Sequence, residues 1–154
     1  MKPAAKCGES GTTDAKAESA DVTQLSTRRL GRGPDVIAPD GSEVRLLAAA
    51  PRGSMAHFRL APGQVSSPVA HRTVEELWYF VGGSGRLWRK LGGEEEIVAV
   101  ETGVSIAIPV GAGFQFRSDG REPLEAVGVT MPPWPGMDEA YPVEGVWPPT
   151  ERSA

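Results

Sequence analysis

Apolar and polar residues alternate along the central part of this chain with the two-residue period of β-strands. In the segment 54–60 the apolar set consists of Ala56, Phe58 and Leu60. The segment 74–81 is rich in β-branched and aromatic residues, which favour strands. No segment shows the 3.6-residue period of an amphipathic helix. The pattern therefore predicts an all-β protein.

Two groups of turn residues indicate where the predicted strands reverse direction. Pro39, Asp40 and Gly41 separate two short apolar runs, as the turn of a β-hairpin would. Three glycines and a serine at 82–85 separate the segment 74–81 from a further strand-like run. This second group also predicts a β-hairpin.

The start of the segment 74–81 carries the residues best suited to chemistry. His71 precedes it, and two acids follow. Because side chains alternate between the two faces of a strand, Glu76 shares its face with Trp78 and Phe80, whereas Glu75 lies on the other. Both faces are apolar enough to be buried. The pattern therefore leaves open which of the two carboxylates points into the protein.

Composition bounds the class of protein and its partners. A chain of 154 residues with 40% hydrophobic residues is expected to form one soluble domain. A formal net charge of −4 is not the basic footprint of a nucleic-acid-binding protein. No apolar run approaches the roughly 20 residues that cross a bilayer, and the N-terminal residues lack the apolar core of a secretory signal. We therefore expect no nucleic-acid or membrane partner and a cytoplasmic location, with which the single Cys7 is compatible.

The two ends of the chain differ from its centre. Residues 1–28 are mostly small and polar, and a disordered tail is predicted there. Residues 29–133 hold the predicted strands. Residues 134–154 are rich in proline and tryptophan, which predicts an extended arm that lies over the domain or reaches to a second copy. Because a single domain has limited surface with which to cover such an arm, we expect a homodimer.

Two motifs in this sequence resemble those of the cupin superfamily. The first family motif, GxxxxxHxHxxxxExxxxxxG, is matched except at its first histidine by Gly63, His71, Glu76 and Gly83, with Val69 at the unmatched position. The second, GxxxxxPxGxxHxxxN, is matched by Gly103, Pro109 and Gly111, with Phe114 in place of the histidine and Ser118 in place of the asparagine. The resemblance covers roughly residues 56–130. It implies a jelly-roll barrel, a double-stranded β-helix, with its ligand site inside.

The resemblance also implies where a metal ion would bind. In metal-binding cupins the two motifs supply three histidines and one glutamate to one ion. Here those positions hold Val69, His71, Glu76 and Phe114. Only His71 and Glu76 can ligate a metal, and divalent transition metals normally take three or four protein donors. The resemblance therefore implies an incomplete metal site and leaves a cofactor-free protein as the first expectation.

We consider three functions. The first is a small-molecule-binding cupin in which His71 and Glu76 act as acid and base, as in isomerisation or cyclisation of an enolisable substrate. The pocket is then walled by apolar side chains. These are Val69, Trp78, Phe80, Phe114 and Phe116.

The second candidate function is a metal-dependent dioxygenase or sugar isomerase that uses iron, zinc, manganese or nickel. Its ligand set would be completed by Glu75, His57 or Gln115, although strand alternation turns His57 and Gln115 away from the interior. The third is a structural or regulatory module without catalysis, in which His71 and Glu76 are a satisfied polar pair. Fold does not determine substrate, and the sequence names none.

Overall fold

The structure, a computed structural model, describes residues 25–150, which form an all-β domain of two antiparallel sheets. The strands are β1 (Val36–Ile37), β2 (Glu43–Ala50), β3 (Gly53–Leu60), β4 (Val69–His71), β5 (Glu75–Gly82), β6 (Ser84–Leu91), β7 (Glu94–Glu101), β8 (Ser105–Ile108), β9 (Gly113–Ser118), β10 (Leu124–Met131) and β11 (Ala140–Pro142). One 3₁₀ turn, Met137–Glu139, precedes β11, and the described residues contain no α-helix. Within residues 25–150, no helix is long and apolar enough to cross a membrane.

The two sheets face each other as in a jelly roll. The six-stranded sheet has the order β1-β2-β3-β10-β5-β8, and the five-stranded sheet has the order β11-β4-β9-β6-β7. Strands that are distant in sequence are therefore neighbours in both sheets, as in a double-stranded β-helix. The predicted all-β, jelly-roll class is confirmed.

Alternate side chains of each strand fill the space between the sheets. Along β5 the inward positions are buried, while Leu77, Tyr79 and Val81 on the outer face are 53%, 51% and 41% exposed. The core combines aromatic and aliphatic residues from both sheets. Its large members include Phe58, Leu60, Trp78, Phe80, Leu87, Ile108, Phe114, Phe116 and Leu124.

The glycine-rich segment 82–85 does not form a hairpin turn, so that prediction is wrong. β5 pairs with β10 and β8, whereas β6 pairs with β7 and β9, and the chain crosses from one sheet to the other between them. Gly83 has φ of +72°, and a Cβ there would lie 2.2 Å from the carbonyl oxygen of Pro123. These glycines are required because the backbone passes close to another strand at the corner of the barrel. The turn predicted at 39–41 does connect paired strands, β1 and β2.

Residues from 134 onward fold back on their own barrel. β11 pairs with β4 at the edge of the five-stranded sheet, a position that tolerates Pro142. Farther along, the backbone of Val146 and Trp147 is bound by the buried side chain of Gln115. The expected homodimer stays a prediction, and the predicted disordered tail lies mostly outside the described residues.

Candidate functional site

A cavity of about 370 Å³ lies between the two sheets. Its buried end, which we call the floor, is formed by His71, Glu76, Trp78 and Phe114. Its other end, the mouth, is lined by exposed residues from several segments. These are Arg28, Val36, Leu46, Met55 and Met137. A concave, mostly apolar cavity of this volume with a few polar groups is typical of small-molecule sites.

Glu76 is the carboxylate that points into the cavity. It is 3% exposed, whereas Glu75 is exposed on the outer face, which settles the choice that the alternation left open. Burial raises the pKa of Glu76 to about 8, although a hydrogen bond from Trp78 Nε1 to Oε2 (2.9 Å) lowers it in part. Glu76 is therefore mainly protonated at neutral pH.

His71 lies beside Glu76 at the end of β4, between two aromatic rings. The ring centroids of Phe114 and Trp134 are 5.2 and 5.1 Å from that of the imidazole, both in edge-to-face geometry. Burial lowers the pKa of His71 to about 4, against the charge of Glu139, which raises it. Nδ1 of His71 has no hydrogen-bond partner and lies 3.9 Å from Oε2 of Glu76. Since both groups are neutral at pH 7, this contact is a neutral acid beside a neutral imidazole rather than an ion pair.

The predicted apolar wall is present in part. Val69, Trp78 and Phe114 line the cavity. Phe80 and Phe116 instead pack behind Trp78, with ring centroids 6.1 and 5.2 Å from it, and do not line the cavity.

Phe58 of β3 also lines the cavity, and its ring is stacked on Trp78 with a centroid distance of 4.8 Å. Sequence reasoning assigned Phe58 only a core role. The alternation of β3 would have found it, since it points to the same side as the inner face of β5.

Glu139, which sequence reasoning missed, holds the loop between His71 and Glu76. Its carboxylate accepts hydrogen bonds from the backbone amides of Thr73 (2.6 Å) and Val74 (2.7 Å) and from the Thr73 hydroxyl (2.8 Å). Burial alone would raise the pKa of Glu139, but these hydrogen bonds outweigh it and lower the pKa. The segment that we expected to be an extended arm therefore helps to build the site. Its position more than 60 residues away leaves no periodic signal in the sequence.

The side chains proposed to complete a metal site lie elsewhere. His57 is on the outer face of the six-stranded sheet, 3.6 Å from Glu125, and is 5% exposed. Gln115 lies on the outer face of the five-stranded sheet, where it binds the C-terminal segment. Glu75 is exposed on the outer face. None of the three reaches the floor.

The donors at the floor do not fit a divalent transition metal. Between residues 25 and 150 there is no group of three or more His, Cys, Asp or Glu side chains that could hold an ion. His71 and Glu76 provide two donors, and Val69 and Phe114 contribute only apolar surface to the same wall. Sites for such metals normally have at least three protein ligands. The set at the floor is one ligand short.

Comparison with known proteins agrees with the architecture. Residues 56–130 match the family model described as a cupin domain. No curated protein is significantly similar to this chain in sequence.

Several solved structures share the fold. Oxalate decarboxylase from Bacillus subtilis is 17% identical with a TM-score of 0.57, and the match covers 64% of this chain and 28% of that one. The Lactobacillus farciminis oxalate decarboxylase formate complex is 22% identical, with a TM-score of 0.57 and coverage of 66% and 31%. BH2720 from Bacillus halodurans is 19% identical, with a TM-score of 0.54 and coverage of 59% and 70%. This chain thus spans less than a third of either decarboxylase, and at these identities the likeness shows the fold alone.

Proposed function

The chain belongs to the cupin superfamily, and we propose that it binds a small, largely apolar carbonyl compound in the barrel cavity and transfers protons on it. His71 and Glu76 are the acid–base pair of this proposal. It is supported by one observation above all. The carboxyl group of Glu76 and the imidazole of His71, both almost fully buried, lie 3.9 Å apart at the floor of an apolar cavity.

The environment of this pair gives each residue its role at neutral pH. With a pKa of about 8, Glu76 retains a proton that it can donate to a carbonyl oxygen. With a pKa of about 4, His71 is unprotonated at neutral pH and its imidazole can accept a proton. The aromatic side chains of the floor leave His71 and Glu76 only 4% and 3% exposed, which limits competition from solvent for both groups. The pair is therefore suited to a ligand that bears a carbonyl group and an adjacent C–H bond.

The proposed step is enolisation. Glu76 transfers its proton to the carbonyl oxygen while the imidazole of His71 takes a proton from the neighbouring carbon, and the electrons of the broken C–H bond form the carbon–carbon double bond of an enol. The pair then consists of a carboxylate and an imidazolium, whose opposite charges attract strongly at this distance in a buried site. Return of the enol O–H proton to Glu76, and of the imidazolium proton to a different carbon or face of the enol, yields an isomer or epimer and restores the neutral pair.

Solvent exchange tests this step directly. The intact protein, in D₂O with a chelator, is incubated with 4-phenylbutan-2-one, and loss of the protons next to the carbonyl is followed by NMR. We expect exchange faster than in buffer, reduced about 100-fold or more in His71→Gln and in Glu76→Gln. His57→Gln and Glu75→Gln are the matched controls, because they change the same residue types on the outer face and should retain exchange.

The outcomes separate the candidate functions. Exchange that is no faster than in buffer, or that survives both floor variants, contradicts proton transfer by this pair. Binding of the ketone without exchange would instead favour the non-catalytic module.

A metal-dependent enzyme is the second candidate, and one observation favours it: Bacillus subtilis oxalate decarboxylase, which shares the fold, has Mn(II) centres. His71 and Glu76 would hold such an ion, but they provide two ligands, whereas such metals normally have at least three from the protein. Exchange that appears only after chelator is replaced by Mn²⁺, and that is lost in His71→Gln, would put this candidate first.

A further inference from the structure

The N-terminal described segment, residues 25–35, is tied to the barrel beside the mouth of the cavity. The backbone amide of Asp35 donates to the carbonyl of Val44 (2.8 Å), and the carboxylate of Asp35 accepts from the amide of Leu46 (2.7 Å). Arg45, only 7% exposed, donates from Nε and Nη2 to the carbonyls of residues 31 and 32, at 3.0 and 3.1 Å. These bonds fix the path of a segment that has no regular secondary structure.

This segment brings Arg28 to the mouth. Arg28 lines the cavity and is exposed, and it has no ion pair or hydrogen bond with another residue in 25–150. The neighbouring Arg29 is also exposed but does not line the cavity. A guanidinium that pairs with none of residues 25–150, on a residue that lines an apolar cavity, is an unused site for an anion, and its planar fork matches a carboxylate.

The other polar groups of the cavity restrict what such an anion can be. The floor is neutral at pH 7, because His71 is unprotonated and Glu76 is protonated. Asp40 lines the cavity as well, and its carboxylate, one oxygen of which accepts two hydrogen bonds from Ser42 at 2.8 and 2.6 Å, would repel an anion bound close to it. With one cationic side chain at the mouth, one carboxylate in the wall and otherwise mainly apolar lining, the cavity suits a singly charged group that binds at Arg28 and carries an apolar body. A doubly charged phosphate would require more donors than this mouth provides.

We propose that the ligand of this cavity is an apolar monocarboxylic acid, whose carboxylate pairs with Arg28 at the mouth while its apolar body lies between the sheets. This inference rests on the proposed function and names its substrate class: the compound that is enolised at the floor carries a carboxylate at its far end. Arg28 is the residue that recognises that carboxylate, and Arg45 is the residue that positions the segment.

Calorimetric titration of the intact chain with octanoate and with octanamide tests the assignment, since the two probes share an apolar chain and differ in charge. At low salt we expect octanoate to bind more tightly than octanamide. Arg28→Gln should weaken octanoate about tenfold, which is the low end for a hydrogen bond to a charged group at a partly exposed site, and leave octanamide unchanged. Arg29→Gln is the matched control and should change neither. Arg28→Lys should retain part of the preference, because it keeps the charge and loses the fork.

Each other outcome overturns the assignment. Equal binding of the two probes, or an octanoate preference that persists in Arg28→Gln, contradicts recognition of a carboxylate by Arg28 but leaves ketone binding and exchange at the floor standing. If neither octanoate nor octanamide binds, the substrate class is wrong. If 4-phenylbutan-2-one does not bind either, the proposed function is wrong as well.

Discussion

The protonation of Glu76 should be visible in the pH dependence of stability. In the folded protein its pKa is about 8, compared with an ordinary value of 4.5. A raised carboxyl pKa means that the folded state holds a proton that the unfolded chain has released, so this group's contribution to stability is complete below pH 4.5 and is lost as pH rises to 8. The perturbation that isolates it is Glu76→Gln, which keeps an acceptor for Trp78 and removes the titration.

The magnitude follows from the two floor residues together. His71 has a folded pKa of about 4 and an ordinary value of 6.5, so its effect has the opposite sign: stability is lost as pH falls from 6.5 to 4. Between pH 4.5 and 6.5 the two slopes oppose each other and largely cancel. From pH 6.5 to 8 only Glu76 contributes, at about 1.4 kcal/mol per pH unit. The wild type should therefore lose roughly 2 kcal/mol of unfolding free energy across this interval.

Urea denaturation at several pH values between 6 and 8.5, with a chelator present, measures this loss. The wild type should become less stable relative to Glu76→Gln as pH rises, and Glu75→Gln, which changes the exposed neighbour, should follow the wild type. All other titrating groups are common to the three proteins and cancel in the comparison. A difference between wild type and Glu76→Gln that stays constant over the whole range would mean that Glu76 is already ionised at neutral pH. The acid role assigned to it would then be wrong.

Three further predictions concern the surroundings of the floor. Glu139→Ala should cost about 2–4 kcal/mol of unfolding free energy, since it leaves the amides of the loop before β5 without acceptors, while the exposed Asp138→Ala should cost under about 0.5 kcal/mol, by chemical denaturation. Gln115→Leu should release the C-terminal segment, and limited proteolysis should then cut it faster. The double variant Val69→His and Phe114→His should acquire micromolar or tighter Zn²⁺ affinity in calorimetric titration, because these residues are cross-strand partners beside the existing pair; failure to bind would contradict the donor count.

Local physics is enough to predict much of the barrel. Along β5 the two-residue period alone places Glu76, Trp78 and Phe80 on one face, and the structure finds them together. The same period cannot say which face is inside, because Leu77 and Tyr79 make the other face apolar as well. That choice is made by the opposite sheet, against which only one face of β5 can pack.

The glycines between β5 and β6 illustrate a second limit. Their composition is that of a tight turn, and a hairpin was the natural interpretation. The chain instead crosses between sheets there, and Gly83 is needed because the backbone at Pro123 passes too close for a side chain. A close approach of two distant segments leaves no local signal in either.

By itself, the sequence determined the fold class and much of the composition of the apolar interior, and it placed His71 a few residues before two acids, because periodicity and short spacings are local properties of the chain. Tertiary structure alone decided that Trp134 packs on His71, that Glu139 holds the loop beside it, and that Arg28 reaches the mouth of the cavity. It also decided the protonation of the floor, since the pKa values of His71 and Glu76 depend on how far the two sheets exclude water from them. Burial and contacts between distant segments exist only once the chain has folded.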